Sequence, residues 1–596
     1  MSDLFSRRLT VASWASHPAI GTIGLLLSLA VLGWSVSSSF FLSDDFLNFS
    51  LASRMSFWQW VNSELFGHWL PARKTLDWGL NSRPLSWPAT VAVLLLIVGV
   101  AALLTRLVVL RLTGSGAWAN VALVIVPVSA AVPGTVQWWA GAAQVIPAMA
   151  CAAAIVLAVV WIPAARGWAR AGVLSGLAVS LGAGLLFDER TAVSVAVAPG
   201  LLTLIVSGRK LITAWATTYA VAAPVLVVWY VLQSHLTSSS SGGWADVGTA
   251  ALFTAKAVAQ NAIPSLFGWV TRPAVWGEDV LWLVGAAFAV LLIALIVRAR
   301  KPASAAWTVL VWLAAVVLTA APTAIVRAGE FGVSAALEPR YLVMANPFGT
   351  IALVYVLSQQ RPVRRATAMA ITGIAAVLAS VNLVYLHANP AGKYPREWAE
   401  RFVASAQAQG VTHFYNTIVP GFVNPIAFYP SNLTAAILPQ LLAGVDTVVT
   451  TPTAGLVGVD GDVSIVSPTP VGEATLTAVE GAEKQGPEAT IGCFLGESTG
   501  GRLSFDAPAI PAGDGMLVVT VEGEFDDSGL RLVTGPSWDQ LRDKTAGIGG
   551  SPPVPGSNLW VTTEEFDDMA VIGIDIQPGQ SVCIDRVVVG TLPKTD

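Results

Sequence analysis

Long apolar runs separated by short polar connections occupy the chain from its N-terminus to about His387. Stretches near 19–41, 88–110, 117–133, 141–162, 171–187, 191–207, 211–232, 279–297, 304–326, 341–358 and 366–387 read as spanning helices, since a bilayer core takes about 17–25 residues of helix. The first run, from about Ile20 to Leu42, is longer than the roughly 7–15 residues of a secretory h-region and reads as a retained signal-anchor helix. Past His387 the pattern changes. Residues 388–445 are mixed, with a helix expected over Arg396–Ala408, and 446–596 are rich in Val, Thr, Gly, Asp and Pro. Alternating runs such as Met516–Glu522 and Val571–Ile576 read as strands, which suggests a β-sandwich or jelly roll. The expected fold is a polytopic α-helical membrane protein of about eleven spans with a C-terminal extracytoplasmic β-sandwich domain.

Basic residues set the expected orientation. Arg7-Arg8, Arg106 with Arg111, Arg166 with Arg170, Arg209-Lys210, Arg298 with Arg300-Lys301, and Arg361 with Arg364-Arg365 fall at every second connection. Cytoplasmic loops carry such an excess, so the N-terminus is expected in the cytoplasm and the C-terminal region outside a plasma membrane. The outer connections are longer. Residues 42–87 contain amphipathic segments punctuated by Trp58, Trp60, Trp69, Trp78 and Trp87, as expected of helices lying in the headgroup layer. A second outer loop, 233–278, opens on Ser238–Ser241 and continues as an amphipathic stretch over Thr249–Val270.

Composition agrees with a membrane protein. Of 596 residues only 12% are charged, the mean hydropathy is +0.65 and there are 23 Trp, whereas soluble domains carry about 25% charged residues. A net charge of −4 gives no reason to expect a nucleic-acid partner. Of three cysteines, Cys151 lies in an apolar run, while Cys493 and Cys583 fall in the C-terminal region and could pair if that region is exported.

The candidate chemistry lies on the expected outer side. Asp44-Asp45 follows the first apolar run; Glu64, His68, Arg73, Lys74 and Arg83 lie in the first outer loop; Asp188-Glu189-Arg190 forms a hairpin; and Arg272, Glu278, Asp279, Arg327, Glu330, Glu338 and Arg340 lie in later outer connections. A carboxylate there can take a proton from a hydroxyl, or a pair can hold a divalent cation such as Mg, Mn or Ca. Arginines can clamp a phosphate. Plainer readings stand beside these: the acidic pair as the polar end of an anchor helix, the 188–190 hairpin as a solvated turn, His68 and Arg340 as interfacial residues, Lys74 and Arg83 as surface residues. Walker-type, HExxH and CxxC signals are absent from the sequence.

Asp44-Asp45-Phe46 after the first helix, the long amphipathic outer loop and the later outer charges resemble the GT-C superfamily of integral-membrane glycosyltransferases. A closer likeness, carried by Gly67–Arg73 and Phe414–Pro420, is to actinobacterial multi-pass membrane proteins of little established function. The GT-C resemblance implies a polyprenyl-phosphate sugar donor, an envelope glycan or lipid acceptor, and Asp44 or Asp45 as catalytic base or metal ligand. His68, Arg73, Glu189, Arg190, Arg272 and Arg340 are the candidates for holding donor phosphate or substrate. At the level of fold alone, some mycobacterial-type arabinosyltransferases carry exported carbohydrate-binding modules of the same class; Trp538 and Trp560 could stack on sugars, with core packing as the alternative. A lipid-linked sugar flippase and a non-catalytic envelope scaffold are the competing functions. The helix centres are nearly free of ionisable residues, which disfavours ion-coupled transport. For orientation, impermeant thiol labelling of intact cells should reach a cysteine placed in the C-terminal region and miss one placed beside Arg300; the reverse pattern overturns the topology.

Overall fold

A computed structural model describes residues 16–64, 68–81, 84–236, 245–270, 277–360, 365–414, 419–424, 434–445, 454–466, 469–485, 491–498, 500–507, 515–525, 531–535, 559–561, 571–576 and 578–593. Its helices are α1 (Pro18–Val36), α2 (Ser43–Arg54), α3 (Phe57–Asn62), α4 (Pro71–Leu80), α5 (Trp87–Thr113), α6 (Gly116–Val128), α7 (Ala131–Val136), α8 (Trp139–Trp161), α9 (Gly167–Phe187) and α10 (Thr191–Val197). They continue as α11 (Arg209–Leu236), α12 (Val247–Lys256), α13 (Ile263–Ser265), α14 (Glu278–Arg298), α15 (Pro302–Phe331), α16 (Asn346–Ser358), α17 (Arg365–Ala388), α18 (Lys393–Gln409) and α19 (Thr434–Leu441). The chain divides into two compact units, one of 1–40, 55–80 and 86–391, the other of 41–54, 81–85 and 392–596.

The first unit is a bundle of long apolar helices. Among the described residues nine helical segments are long and apolar enough to cross a membrane. Residues such as Leu26, Leu96, Val227, Leu283 and Val381 expose more than half of their surface; on a helix of this length they are the lipid-facing side. The chain is a multi-pass membrane protein. Its helix ends follow local rules: Ser86 caps α5 at Ala89 N, Pro88 opens the first turn, and Gly114 closes the helix at φ 67°.

Two of the eleven expected spans are shorter than the rest. Residues 191–207 form α10 followed by a 3-10 turn, Ala198–Leu204, and 341–358 form 3-10 turns followed by the 13-residue α16. Both still join the same two ends of the bundle. Trp307, near the start of α15, donates to Gly200 O at 2.8 Å, while His68, paired with Glu189 at the opposite end of that segment, lies within electrostatic reach of Arg327, near the end of α15. Gln359 O, after α16, accepts from Arg300 N at 2.8 Å, and Tyr341, before it, lies beneath Arg190. Three helical residues of 3-10 geometry rise about 6 Å against about 4.5 Å for α, so fewer residues cover the depth. One end of the bundle gathers basic residues, with Arg111 over the Trp161 ring at 5.1 Å and Arg170 bonded to Thr217 at 3.4 Å. The other gathers the residues of the next section.

The second unit carries α2, α18, α19 and the strands. β1 (Ala454–Val457) pairs with β2 (Val463–Val466). β3 (Thr469–Glu473), β5 (Ala482–Gln485), β6 (Gly492–Gly496), β8 (Gly515–Phe525), β10 (Leu559–Val561) and β12 (Ser581–Pro593) form a six-stranded sheet in the order β10-β8-β12-β6-β5, with β3 also on β12. β4 (Thr475–Glu480), β7 (Gly501–Asp506), β9 (Arg531–Gly535) and β11 (Val571–Ile576) form a four-stranded sheet, β4-β7-β11-β9. Phe494, Val519, Ile584 and Val587 from the larger sheet share one buried core with Leu503, Phe505, Ile572 and Ile574 from the smaller. Alternating side chains on antiparallel strands supply such a two-sheet core. Trp538 lies outside the described residues.

Cys493 and Cys583 face each other on β6 and β12 and are disulfide-bonded, 90 residues apart in sequence. Closing a loop of that length typically stabilises by about 2–4 kcal/mol. Under denaturing, non-reducing conditions a thiol-reactive polymer should therefore add once, at Cys151, and three times after reduction. Three additions without reductant would remove the bond from the native protein.

Candidate functional site

The first unit brings His68, Glu189, Arg190 and Arg340 to one end of its bundle. The 188–190 hairpin is held by Asp188. Its amide caps α9 by donating to Gly184 O at 2.8 Å, and its carboxylate accepts from the Arg190 amide at 2.9 Å. The Arg190 side chain adds Nε at 2.9 Å and Nη2 at 2.5 Å, and Gln144 on α8 adds a fourth donor at 3.2 Å. Asp188 is fully buried and Arg190 nearly so. Burial works against the guanidinium charge, yet the Asp188 carboxylate more than offsets it and raises the Arg190 pKa. The hairpin is thus a rigid, internally paired turn rather than a solvated one.

That turn presents Glu189 to His68, with Oε1 3.1 Å from Nδ1 and each side chain about 30% exposed. Burial alone would push Glu189 up, but its bond to His68, the His68 charge and Arg190 outweigh it and hold the carboxyl at about 2. Burial likewise tends to lower His68, and the Glu189 bond and charge, with Asp188 behind it, raise it above 6.5 despite Arg327. Glu189 Oε2 is buried without a hydrogen-bond partner among the described residues.

Arg340 is held differently. Its guanidinium lies 4.4 Å from the Trp138 ring and 5.1 Å from the Tyr341 ring, with Nη2 3.4 Å from the Tyr341 hydroxyl. Among the described residues no carboxylate pairs with it, and its Nε is buried without a partner. Arg190 approaches the same Tyr341 ring at 5.9 Å, so two guanidiniums contact one aromatic ring. The Trp138 ring packs on Gly141, where an added Cβ would meet it at 2.8 Å. Next to it Trp139 donates to Asp77 Oδ1 at 2.8 Å. Asp77 is fully buried and its pKa is raised by that burial, against Arg73, Trp139 and Lys74. Arg73 Nε lies 3.6 Å from Asp77 Oδ2, an ion-pair distance beyond hydrogen-bond reach.

Lys74, expected at the surface, is buried. Its amine bonds Ser63 O and Ser63 Oγ and lies over the Trp60 ring, while Trp60 donates back to Lys74 O at 3.0 Å, clasping α3 to α4. Burial and Arg73 push its pKa down to about 8, against Asp77 and Glu64.

An apolar cavity of about 410 Å³ lies within the same bundle, lined among others by Gly24, Val124, Trp312, Leu342, Leu357 and Ala379.

Asp44 and Asp45 belong to the second unit, in the first turn of α2. Asp45 is fully buried, and its Oδ2 accepts from Leu42 N at 2.7 Å, closing the helix start on itself. Asp44 Oδ1 accepts from Ser43 Oγ at 3.3 Å. One turn on, Asn48 is buried with both amide atoms unpartnered among the described residues. Among the described residues no three His, Cys, Asp or Glu side chains group as metal ligands. Asp45 thus gives one carboxylate oxygen, Oδ2, to its helix cap. Arg272 and Arg83 lie outside the described residues. Glu278 pairs with Lys256 at 2.8 Å.

Among solved structures, the chain is similar to arabinosyltransferase EmbB from Mycobacterium smegmatis, at 15% identity and a TM-score of 0.26, over 99% of this chain and 65% of that one. No protein-family model and no curated protein matches. A superposition this loose leaves the site to its own geometry.

Sequence reasoning missed Asp77, Trp138, Gln144 and Tyr341. Arg73 and Asp77 at i, i+4 on an amphipathic segment carried the one visible signal; a Trp or Gln inside an apolar run carried none. The pH dependence of the His68–Glu189 pair follows from the two shifts. His68, raised, contributes fully below 6.5 and loses its contribution as pH rises through its folded value; Glu189, lowered, contributes above 4.5 and loses it as pH falls through about 2. The Tm deficit of His68→Gln should therefore be largest between about pH 4.5 and 6.5 and shrink above that window. A deficit that grows toward alkaline pH contradicts the pairing.

Proposed function

We propose that this protein is a membrane glycosyltransferase that takes its sugar from a polyprenyl-phosphate donor and passes it to an envelope glycan or lipid on the extracytoplasmic side. The observation that carries this reading is Arg340: a half-buried guanidinium with no carboxylate partner among the described residues, held on Trp138 and Tyr341, in a bundle that also encloses an apolar cavity with Leu342 in its lining. A phosphate joined to a long apolar chain matches both features. The guanidinium meets the charge bidentately, and the cavity accepts the chain without desolvating polar groups.

The reaction asks for positive charge where the phosphate departs. A donor fixed against aromatic faces, in a site poor in water, stabilises developing charge more than the same group in solution. Arg340 supplies that charge. Arg190 is neutralised by Asp188 and supports the Tyr341 ring instead. An acceptor hydroxyl must also lose a proton, a role that the GT-C resemblance gives to Asp44 or Asp45. Asp45 has its carboxylate in a helix cap, so within the pair Asp44 is the member to test.

Arg340→Ala should lower transfer of labelled sugar from polyprenyl-phosphate donors in membranes by about 10²–10³-fold, the usual loss on removing one charge-stabilising donor, with Arg340→Lys recovering part of it. Near-normal transfer by Arg340→Ala would sink the phosphate assignment. Asp44→Asn and Asp45→Asn belong in the same assay; undiminished transfer by the double variant removes the acidic pair from the chemistry.

A further inference from the structure

We propose that His68 is the proton acceptor of the transfer step, with Glu189 as the residue that positions its imidazole. The inference rests on the glycosyltransferase reading above and moves to His68 a role that the GT-C resemblance implies for Asp44 or Asp45.

The geometry is that of an oriented imidazole. Glu189 Oε1 lies 3.1 Å from Nδ1, which fixes that nitrogen as the protonated one. Nε2 then carries the lone pair. The ring stays about 30% exposed, so a hydroxyl can reach it. Glu189 cannot swing away easily: it stands in the turn that Asp188, Arg190 and Gln144 lock. The charged groups facing His68 are Glu189 and Asp188 from the α9–α10 turn and Arg327 from α15. The turn also places Arg190 on the Tyr341 ring that carries Arg340, so the proton acceptor and the phosphate clamp are built on one continuous set of contacts.

The step balances within these groups. The acceptor O–H proton passes to His68 Nε2 as the acceptor oxygen bonds the anomeric carbon. The bond between that carbon and the phosphate oxygen breaks, and its electron pair leaves with the polyprenyl phosphate, held by Arg340. Glu189 stabilises the imidazolium, and His68 releases the proton from Nε2 to water after the product departs. No oxidant or further reactant is needed.

The test uses full-length protein in membranes with radiolabelled polyprenyl-phosphate pentoses and hexoses. His68→Gln should lower kcat by about 10²–10⁴-fold, the range of a lost general base, with little change in donor KM. His68→Ala should be partly restored by added imidazole. The wild-type rate should fall on the acid side with an inflection above pH 6.5, and Glu189→Gln should bring that inflection down while lowering the plateau. Retained kcat in His68→Gln, or a loss confined to donor KM, assigns His68 to structure or to phosphate binding and overturns the dyad. If His68→Gln fails to accumulate, the Glu189→Gln profile decides: an unmoved acid inflection also overturns it. Absence of any transfer by the wild type is a different failure, that of the glycosyltransferase reading itself.

Discussion

A carboxylate and a guanidinium removed from water together set the site end of the bundle. Asp188 and Arg190 are two residues apart, fully or nearly buried, and every polar atom of the Asp188 carboxylate is used by Arg190 or Gln144. Taking two charges from water costs several kcal/mol per ion unless geometry and additional hydrogen bonds restore it. The hairpin meets that condition, and in meeting it becomes inflexible. Glu189 stands between them in that fixed turn, and its carboxylate reaches His68. Tyr341 is reached by the same guanidinium. Three segments distant in sequence, at 68, 188–190 and 340–341, thus share one anchor.

The large features were legible in the sequence because they rest on one-dimensional physics. Apolar length predicts helices, and basic residues at alternate connections predict which helix ends lie together; Arg111 against Trp161 and Arg300 against Gln359 are those ends. Alternation over Val571–Ile576 predicts a strand, and the structure places it centrally in a four-stranded sheet. The apolar runs near 191–207 and 341–358 were legible as helical and illegible as irregular, since hydropathy does not distinguish an α-helix from a 3-10 turn of equal composition.

The site was legible only as a set of charges on one side. Which charges are paired depends on contacts between distant segments, and nothing at Lys74 in the sequence announces Ser63 as its partner. The acidic pair shows the same difficulty from the opposite direction. Asp44-Asp45 is conspicuous as a pattern, yet Asp45 is spent on its own helix start. A carboxylate three residues into a helix satisfies the backbone N–H at its cap, a demand as local as any catalytic one and invisible to a reading by function.

Arginine burial in the first unit separates into two kinds, and the distinction bears on what the site can bind. Arg190 and Arg73 stand with Asp188 and Asp77. Asp188 and Arg190 offset one another, so that pair presents no net charge to a ligand. Arg340 instead rests on Trp138 and Tyr341. Aromatic faces attract a cation by about 0.5–2 kcal/mol without cancelling its charge. They fix the plane of the guanidinium and leave its positive field intact. A bundle that neutralises its structural arginines with carboxylates, and cradles this one in rings, retains there the charge that an anionic substrate would meet.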